Sequence, residues 1–259
     1  MSALDLNTTP YIEGDFSSYA EALRVANLIS QNSGGYSSLS ILERVANSTQ
    51  KVRRGEAAFE RDGVAFERED YRYPLLAALF YVAMREHRLN VLDFGGSLGS
   101  TYFQNRNLLA GIPVEWNIVE QENYAEYGRR AVPEINFYSR IADCRGKDIN
   151  CVLISCSLNY VDDPYRYLQE LLNVDAKYFI ADRLYFNFES RNRIMIERVP
   201  ETIYKATYPI TLLNVDDFAN FVLQKYRMVF ELPPFDNTPF IENNTARVTP
   251  NQGWLFERN

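Results

Sequence analysis

The sequence has few of the residues on which metal and thiol chemistry depends. Its 259 residues include one histidine, His87, and three cysteines, Cys144, Cys151 and Cys156. The cysteine spacing matches no zinc pattern, and a single histidine cannot complete one. We therefore predict no metal site. We interpret the cysteines as buried structural thiols and His87 as a structural residue near a helix end.

The sequence also lacks an excess of positive charge and any long apolar run. Its formal net charge is −7 at pH 7, whereas proteins that bind a nucleic-acid backbone usually carry a basic patch. No apolar run approaches the ~20 residues needed to span a bilayer, and residues 1–10 lack the basic start and apolar stretch of a secretory signal. We therefore expect a cytoplasmic protein with no nucleic-acid partner and no membrane span. No oligomeric state is predicted.

The spacing of apolar residues changes near residue 89. Three earlier stretches have the spacing of amphipathic helices: 17–30, 37–52 and 75–85. Later residues form short apolar runs that alternate with amphipathic stretches, as in βαβ units. We predict an α/β fold with a doubly wound, mostly parallel, Rossmann-like sheet. Residues 1–88 are predicted to form a helical N-terminal cap or lid, and residues 89–259 the Rossmann-like domain.

The later part of the chain is predicted to alternate between strands and helices. The predicted parallel strands are Asn90–Phe94, Glu115–Glu120, Asn136–Ser139, Cys151–Ser155 and Tyr178–Asp182. The predicted helices between them are Thr101–Ala110, Tyr124–Ala131 and Pro164–Leu172. Parallel strands buried on both faces are continuously apolar, as residues 151–154 are. Tyr226–Leu232 and Trp254–Glu257 are predicted to add late antiparallel strands.

A glycine-rich segment follows the first of these strands. The apolar run ends in Asp93, and the chain continues through Gly95, Gly96, Ser97 and Gly99. Glycines let a nucleotide-like ligand approach the backbone closely, and the following helix offers free amide hydrogens. The spacing differs from the dinucleotide fingerprint G-x-G-x-x-G. We predict that these five residues bind a cofactor.

The next strand ends in an acid, Glu120, followed by Gln121. One βα unit after a glycine loop, a carboxylate can accept hydrogen bonds from both ribose hydroxyls of an adenosine. The alternative is that Glu120 caps the following helix. We favour cofactor binding for both residues. Asp143, after the third strand, has two equal interpretations, at the adenine edge or as a loop cap.

Two segments further along carry candidate substrate-binding residues. Asp182 and Arg183 close the fifth strand, and the tyrosine-rich stretch 199–209 contains Tyr204 and Tyr208. Loops at the carboxyl edge of such sheets commonly hold substrate. The rival interpretation is that Asp182 and Arg183 pair with each other and that the tyrosines belong to the core.

Taken in order, six segments of the chain resemble one family. They are Ala57–Asp62, Leu92–Ser100, Val119–Gln121, Ser155–Pro164, Asp182-Arg183 and Val199–Pro209. The family comprises uncharacterised class I S-adenosylmethionine (SAM) methyltransferases, often encoded among bacterial surface-polysaccharide genes, and the resemblance spans roughly residues 35–232. It implies a class I methyltransferase fold with SAM as cofactor. It also implies that Ser155 and Ser157, after the fourth strand, lie beside the methionine part of SAM.

The resemblance implies O-methylation of a sugar, a nucleotide-sugar or a surface glycan. A hydroxyl acceptor needs a base within hydrogen-bond distance, and Asp182 is the predicted base. Tyr204 and Tyr208 are the other predicted catalytic residues. The residues predicted to bind the acceptor are Arg61, Tyr160 and Arg183; the two arginines suit an anionic acceptor or the carboxylate of the cofactor.

Two other functions remain open from the sequence. One is a catalytically inactive partner protein that keeps the methyltransferase fold and serves polysaccharide biosynthesis, because fold alone does not determine activity. The other is an NAD-dependent oxidoreductase. That class is disfavoured by the glycine spacing and by the absence of a Tyr-x-x-x-Lys pair after the fourth strand.

Overall fold

The computed structural model describes residues 11–29, 39–199, 206–234, 241–242, 245–246 and 251–259. A sheet with parallel central strands lies at the centre of this part of the chain. The strands are β1 (Tyr11–Phe16), β2 (Phe59–Arg61), β3 (Val64–Phe66), β4 (Leu89–Phe94), β5 (Val114–Val119), β6 (Asn136–Tyr138), β7 (Cys151–Ser155), β8 (Tyr178–Asn187), β9 (Arg193–Val199), β10 (Ala206–Asn214), β11 (Tyr226–Leu232), β12 (Ile241–Glu242), β13 (Thr245–Ala246) and β14 (Asn251–Arg258). The helices are α1 (Tyr19–Ile29), α2 (Leu39–Arg53), α3 (Tyr73–Glu86), α4 (Ser100–Asn105), α5 (Glu122–Ala131), α6 (Pro164–Leu172) and α7 (Val215–Leu223).

The central strands are parallel and lie in the order β6-β5-β4-β7-β8. β5 and β6 follow one another on one side of β4. The chain then crosses to the other side of β4, where β7 and β8 lie. Strand order therefore reverses between β4 and β7. In open α/β sheets, ligands bind in the crevice outside the carboxyl ends of the strands at such a switch point.

Helices cover both faces of this sheet. Along β7, Cys151 and Leu153 belong to the core beneath α2, α3 and α5, whereas Val152 and Ile154 belong to the core beneath α6 and α7. The alternation follows from the two-residue period of a strand, and it explains why β7 is apolar throughout. The predicted doubly wound α/β fold is confirmed. In the described ranges, no helix is long and apolar enough to cross a membrane.

The late strands are antiparallel, as predicted. β14 pairs antiparallel with β8, and β11 pairs antiparallel with β14. The fifth predicted strand is longer than expected, because β8 continues beyond Asp182 to Asn187. Leu184 and Phe186 are fully buried in this extension, and its end pairs in parallel with β10.

The first 88 residues are less helical than predicted. The three helices occur as expected, but β1 joins the main sheet beside β9, and β2 and β3 form a hairpin. The sequence pattern does not indicate β1, because Glu13, Gly14 and Asp15 have low strand propensity. Tertiary pairing overrides that propensity: Ile12 is fully buried and packs with Met195 and residues of β10. The division of the chain at residue 88 stays a prediction.

The stretch 199–209 is not wholly a loop. Ala206–Pro209 lie in β10, which pairs antiparallel with β9. The reason is that residues 206–213 continue as a buried apolar strand, of which the tyrosine-rich stretch is only the start. Tyr208 therefore lies on a strand, and Tyr204 lies outside the described residues.

Candidate functional site

A cavity of about 750 Å³ opens at the carboxyl ends of β4, β5 and β7. It therefore lies at the switch point of the sheet, where a ligand is expected. The predicted site residues that line it are Asp93, Gly95, Gly96, Ser97, Glu120, Gln121, Ser155, Ser157, Arg61, Tyr160, Arg183 and Tyr208. Gly99, Asp143 and Asp182 do not line it.

The glycine loop after β4 is packed against the segment after β7. Gly95 has a φ of +72°, and a Cβ at this position would lie 2.4 Å from the Cβ of Ser157. The Ser157 hydroxyl donates a hydrogen bond to the carbonyl of Phe94. Only glycine meets both requirements at position 95, a left-handed backbone and no side chain. The loop thus leaves its backbone open to the cavity.

The carboxyl of Asp93 lies against the glycine loop at Gly96. It is buried, and its Oδ2 accepts a hydrogen bond from the indole Nε1 of Trp116 at 3.0 Å. A Cβ on Gly96 would lie 2.5 Å from the same Oδ2. Burial raises the pKa of Asp93 to about 7, with the Trp116 hydrogen bond opposing the shift. The buried Asp93 carboxyl therefore packs against Gly96, where a side chain would not fit.

Glu120 joins the ends of β4 and β5. Its Oε1 accepts a hydrogen bond from the backbone N–H of Ser97 at 3.2 Å, and its Oε2 accepts one from the backbone N–H of Gln121 at 2.8 Å. α5 begins at Glu122, after these contacts. Burial raises the pKa of Glu120. The carboxylate thus bonds to the glycine loop and lines the cavity, and its role in cofactor binding stays a prediction.

Two predicted cofactor residues lie away from the cavity. The carboxylate of Asp143 pairs with Arg140, one turn earlier, at 2.7 Å, and Ile141 and Ala142 line the cavity in its place. A Cβ on Gly99 would lie 2.3 Å from Cδ1 of Ile135, so this glycine allows close packing at the start of α4. The Asp143 carboxylate is therefore engaged in an ion pair outside the cavity.

Asp182 is fully buried behind the cavity wall. Its Oδ1 accepts a hydrogen bond from Nε of Arg72 at 2.5 Å, and its Oδ2 accepts one from the Ser155 hydroxyl at 3.0 Å. Nε of Arg183 lies 3.6 Å from Oδ2. Both carboxylate oxygens are thus engaged, one by Arg72 and one by Ser155, which lies directly opposite Asp182 in the sheet. This placement favours a structural role for Asp182 over the predicted role of base.

A second carboxylate, Glu197, lines the far part of the cavity and is absent from the sequence-based prediction. It lies on β9 directly opposite Tyr208 on β10 and is 5% exposed. The hydroxyl of Tyr160 donates a hydrogen bond to its Oε2 at 2.9 Å, and the Tyr160 and Tyr208 rings meet edge to face at 5.4 Å. Burial raises the pKa of Glu197 to about 7. The sequence signal for it is weak, because the apolar residues 194–196 are followed by two charged residues, Glu197 and Arg198.

The N-terminal hairpin supplies a further part of the wall. Arg61 and Asp62 line the cavity. The neighbouring Glu60 is buried and accepts hydrogen bonds from the Ser100 hydroxyl and from the backbone N–H of Gly63. Because Ser100 begins α4, this contact fastens the hairpin to the helix that follows the glycine loop. Residues from both predicted parts of the chain therefore form one site.

Comparison with known proteins agrees with this fold. No family model and no curated protein matches the sequence. The SAM-bound structure of CalS10, an amino pentose methyltransferase from Micromonospora echinaspora involved in calicheamicin biosynthesis, matches with a TM-score of 0.50 at 10% identity, over 82% of this chain and 96% of that chain.

Two more solved structures resemble the chain at lower TM-scores. The N-terminal domain of EvdMO1, in the presence of S-adenosylhomocysteine (SAH) and D-fucose, matches with a TM-score of 0.49 at 12% identity, over 81% of this chain and 96% of that chain. A SAM-dependent methyltransferase from Clostridium acetobutylicum matches with a TM-score of 0.47 at 9% identity, over 83% of this chain and 98% of that chain. The likeness to CalS10 shows the mixed α/β, Rossmann-like fold.

Proposed function

We propose that the protein is a SAM-dependent methyltransferase that transfers the methyl group to a hydroxyl of a small molecule or glycan. The observation that carries this proposal is the meeting of the glycine loop and Glu120 at the switch point of the sheet, through the hydrogen bond from the Ser97 N–H. Ser97 and Glu120 both line one cavity of about 750 Å³. This volume is within the range of small-molecule sites.

The residues around the glycine loop suit an adenosine cofactor. Gly95 lines the cavity without a side chain, so a ligand can approach the loop backbone closely there. Glu120 would accept hydrogen bonds from the ribose hydroxyls, and Ile141 would contact the adenine. Ser155 and Ser157 would lie beside the methionine end. When bound, SAM supplies a methyl group on a positively charged sulfonium.

The other end of the cavity suits the acceptor. Tyr160, Tyr185 and Tyr208 line it together with Glu197 and Arg183. Aromatic rings offer apolar faces, and the charged groups orient polar atoms. A sugar or other polyol matches this mixture, and the sugar class also follows from the resemblance to methyltransferases encoded among surface-polysaccharide genes. The enzyme would accelerate the transfer by orienting the acceptor and excluding water.

Calorimetric titration of the purified protein with SAM, SAH and NAD tests this function. We expect micromolar binding of SAM and SAH and no binding of NAD, because the glycine spacing differs from the dinucleotide fingerprint. Binding of NAD alone would instead support an oxidoreductase. Binding of none of the three would favour the inactive partner protein.

A further inference from the structure

Glu197 is a buried carboxylate whose hydrogen-bond donor is a neutral phenol. Only 5% of its surface is exposed, and the Tyr160 hydroxyl donates to its Oε2 at 2.9 Å. A buried ionised carboxylate is costly unless it is paired and hydrogen-bonded, and a phenol compensates the charge less than a guanidinium does. Burial in such a setting raises the pKa of a carboxyl group toward neutral pH.

A short chain of contacts links Glu197 to the glycine loop. The Gly95 backbone packs against Ser157, and the carbonyl of Ser157 accepts a hydrogen bond from the Tyr160 N–H at 3.1 Å. Tyr160 then reaches Glu197 through its hydroxyl. One turn of chain after β7 therefore spans the distance from the loop predicted to hold the cofactor to the carboxylate, along the wall of a single cavity.

We propose that Glu197 is the general base of the methyl transfer. Its carboxylate would take the proton of the acceptor hydroxyl while the oxygen bonds to the methyl carbon and the methyl–sulfur bond breaks, leaving a methyl ether, neutral SAH and a protonated Glu197. Tyr160 is then a positioning residue that orients the carboxylate. This inference rests on the proposed function, and it gives Glu197 the role that the sequence assigns to Asp182.

The position of Glu197 has a consequence for cofactor binding that requires no acceptor. A base that faces the reacting methyl group also faces the sulfonium of SAM, whereas SAH carries no charge at sulfur. An opposite charge within ~4–6 Å favours the ionised carboxylate, so deprotonation of Glu197 should strengthen the binding of SAM relative to that of SAH. Asp93 and Glu120 also line the cavity and burial raises their pKa values, so loss of the pH dependence in a Glu197 variant is what assigns it to Glu197.

Among the residues that the structure describes, the titratable groups beside Glu197 are Tyr160, Tyr208, Cys156 and Asp62. Burial raises the pKa of Cys156 to about 12, so the thiol stays protonated near neutral pH. β1 places the apolar Ile12 opposite Glu197, and α1 packs against the neighbouring Ile196 on the other face. Asp62 is therefore the group that needs a control.

The test is the ratio of SAM to SAH affinity, measured by calorimetry between pH 5.5 and 8.5. For wild type we expect the ratio to rise with pH about a midpoint near 7, by about tenfold if the sulfonium displaces the pKa of Glu197 by one unit. Glu197→Gln, which keeps the size of the side chain, should remove the rise. Glu126→Gln, a matched change of an exposed glutamate outside the cavity, should leave the rise intact.

Two further variants test the assignment even if Glu197→Gln fails to fold. Tyr160→Phe removes a hydrogen bond that lowers the pKa of Glu197, so the midpoint should move to higher pH. Asp62→Asn removes a charge that raises this pKa, so the midpoint should move to lower pH while the rise persists.

A flat ratio in wild type, or an unchanged rise in Glu197→Gln, would overturn the assignment of the base while SAM and SAH still bind. Loss of the rise in Asp62→Asn would assign the effect to Asp62 instead. Absence of binding by both ligands would overturn the proposed function itself, and the base with it.

Discussion

The hydroxyl of Tyr160 donates a hydrogen bond to the Glu197 carboxylate at 2.9 Å, from the turn after a central parallel strand to an antiparallel strand on the flank of the sheet. This contact joins the two ends of the cavity. The part built around the glycine loop suits a nucleoside cofactor, and the part built around β9 and β10 suits an acceptor.

Replacement of Glu120 should weaken cofactor binding. Glu120→Ala removes a charged acceptor for the ribose hydroxyls and releases the Ser97 N–H that now bonds to it. Hydrogen bonds to charged groups contribute ~1.5–3 kcal/mol, so the SAH dissociation constant should rise roughly ten- to a hundredfold. Calorimetry measures this change. Glu120→Gln keeps the shape of the side chain and should lose less; equal affinity of Glu120→Ala and wild type would remove Glu120 from the cofactor site.

A methyl group on Gly95 should disturb both the loop and the ligand. In Gly95→Ala the new Cβ would overlap Ser157, and the φ of +72° is strained for alanine. Overpacking of this kind costs ~1–3 kcal/mol. Gly111→Ala is the matched control, because Gly111 has a φ of +91° but no atom within 4 Å of an added Cβ. We expect Gly95→Ala to lose SAH binding more than about tenfold, and Gly111→Ala to keep it. Comparable binding by the two variants would contradict the close approach at residue 95.

The buried pair of Arg72 and Asp182 should stabilise the fold. The two side chains are 6% and 0% exposed, and removal of one member of a buried pair leaves an uncompensated charge at a cost of ~3–5 kcal/mol. Urea denaturation of Arg72→Met should show a loss of this size. The double variant Arg72→Met with Asp182→Asn should lose less than the sum of the single changes. Additive losses would show that the pair is not coupled.

The hairpin contact of Glu60 should make stability depend on pH. Burial raises the pKa of Glu60 to about 7, against ~4.3 in an unfolded chain. Between these values the folded state holds a proton that the unfolded state has released. The free energy of unfolding should therefore fall as pH rises from about 4 to 7, by up to ~1.4 kcal/mol per pH unit for this group, and level off above.

Urea denaturation of Glu60→Gln between pH 4.5 and 8 measures this contribution. The slope should decrease but persist, because burial also raises the pKa values of Asp93 and Glu197 to about 7. Glu67→Gln, a change of an exposed glutamate after the same hairpin, should leave the slope as in wild type. A Glu60→Gln slope equal to that of wild type would show that Glu60 does not hold the extra proton.

The sequence predicts the parts of the site that follow directly from a strand. Asp93 near the end of β4, Glu120 directly after β5 and Ser155 at the end of β7 all lie where the carboxyl ends of parallel strands meet, as does Gly95 after β4. Strand periodicity locates those ends. A local pattern is sufficient because each residue is positioned by its own strand.

The remainder of the site depends on contacts between distant segments. Asp182 ends a predicted strand as Glu120 does, but its carboxylate is bonded to Arg72, 110 residues earlier, and does not line the cavity. Glu197 reaches the cavity because β9 pairs with β1 and β10. Such pairing is a tertiary effect that propensity does not reveal. The sequence-based prediction therefore assigns the role of base to Asp182 and not to Glu197.

A crystal structure of the protein with SAH bound would test the proposed cofactor site most directly. We predict that both ribose hydroxyls lie within hydrogen-bond distance of the Glu120 carboxylate and that the sulfur lies between Ser157 and Glu197. An SAH molecule bound outside the cavity, or one whose sulfur points away from Glu197, would contradict it.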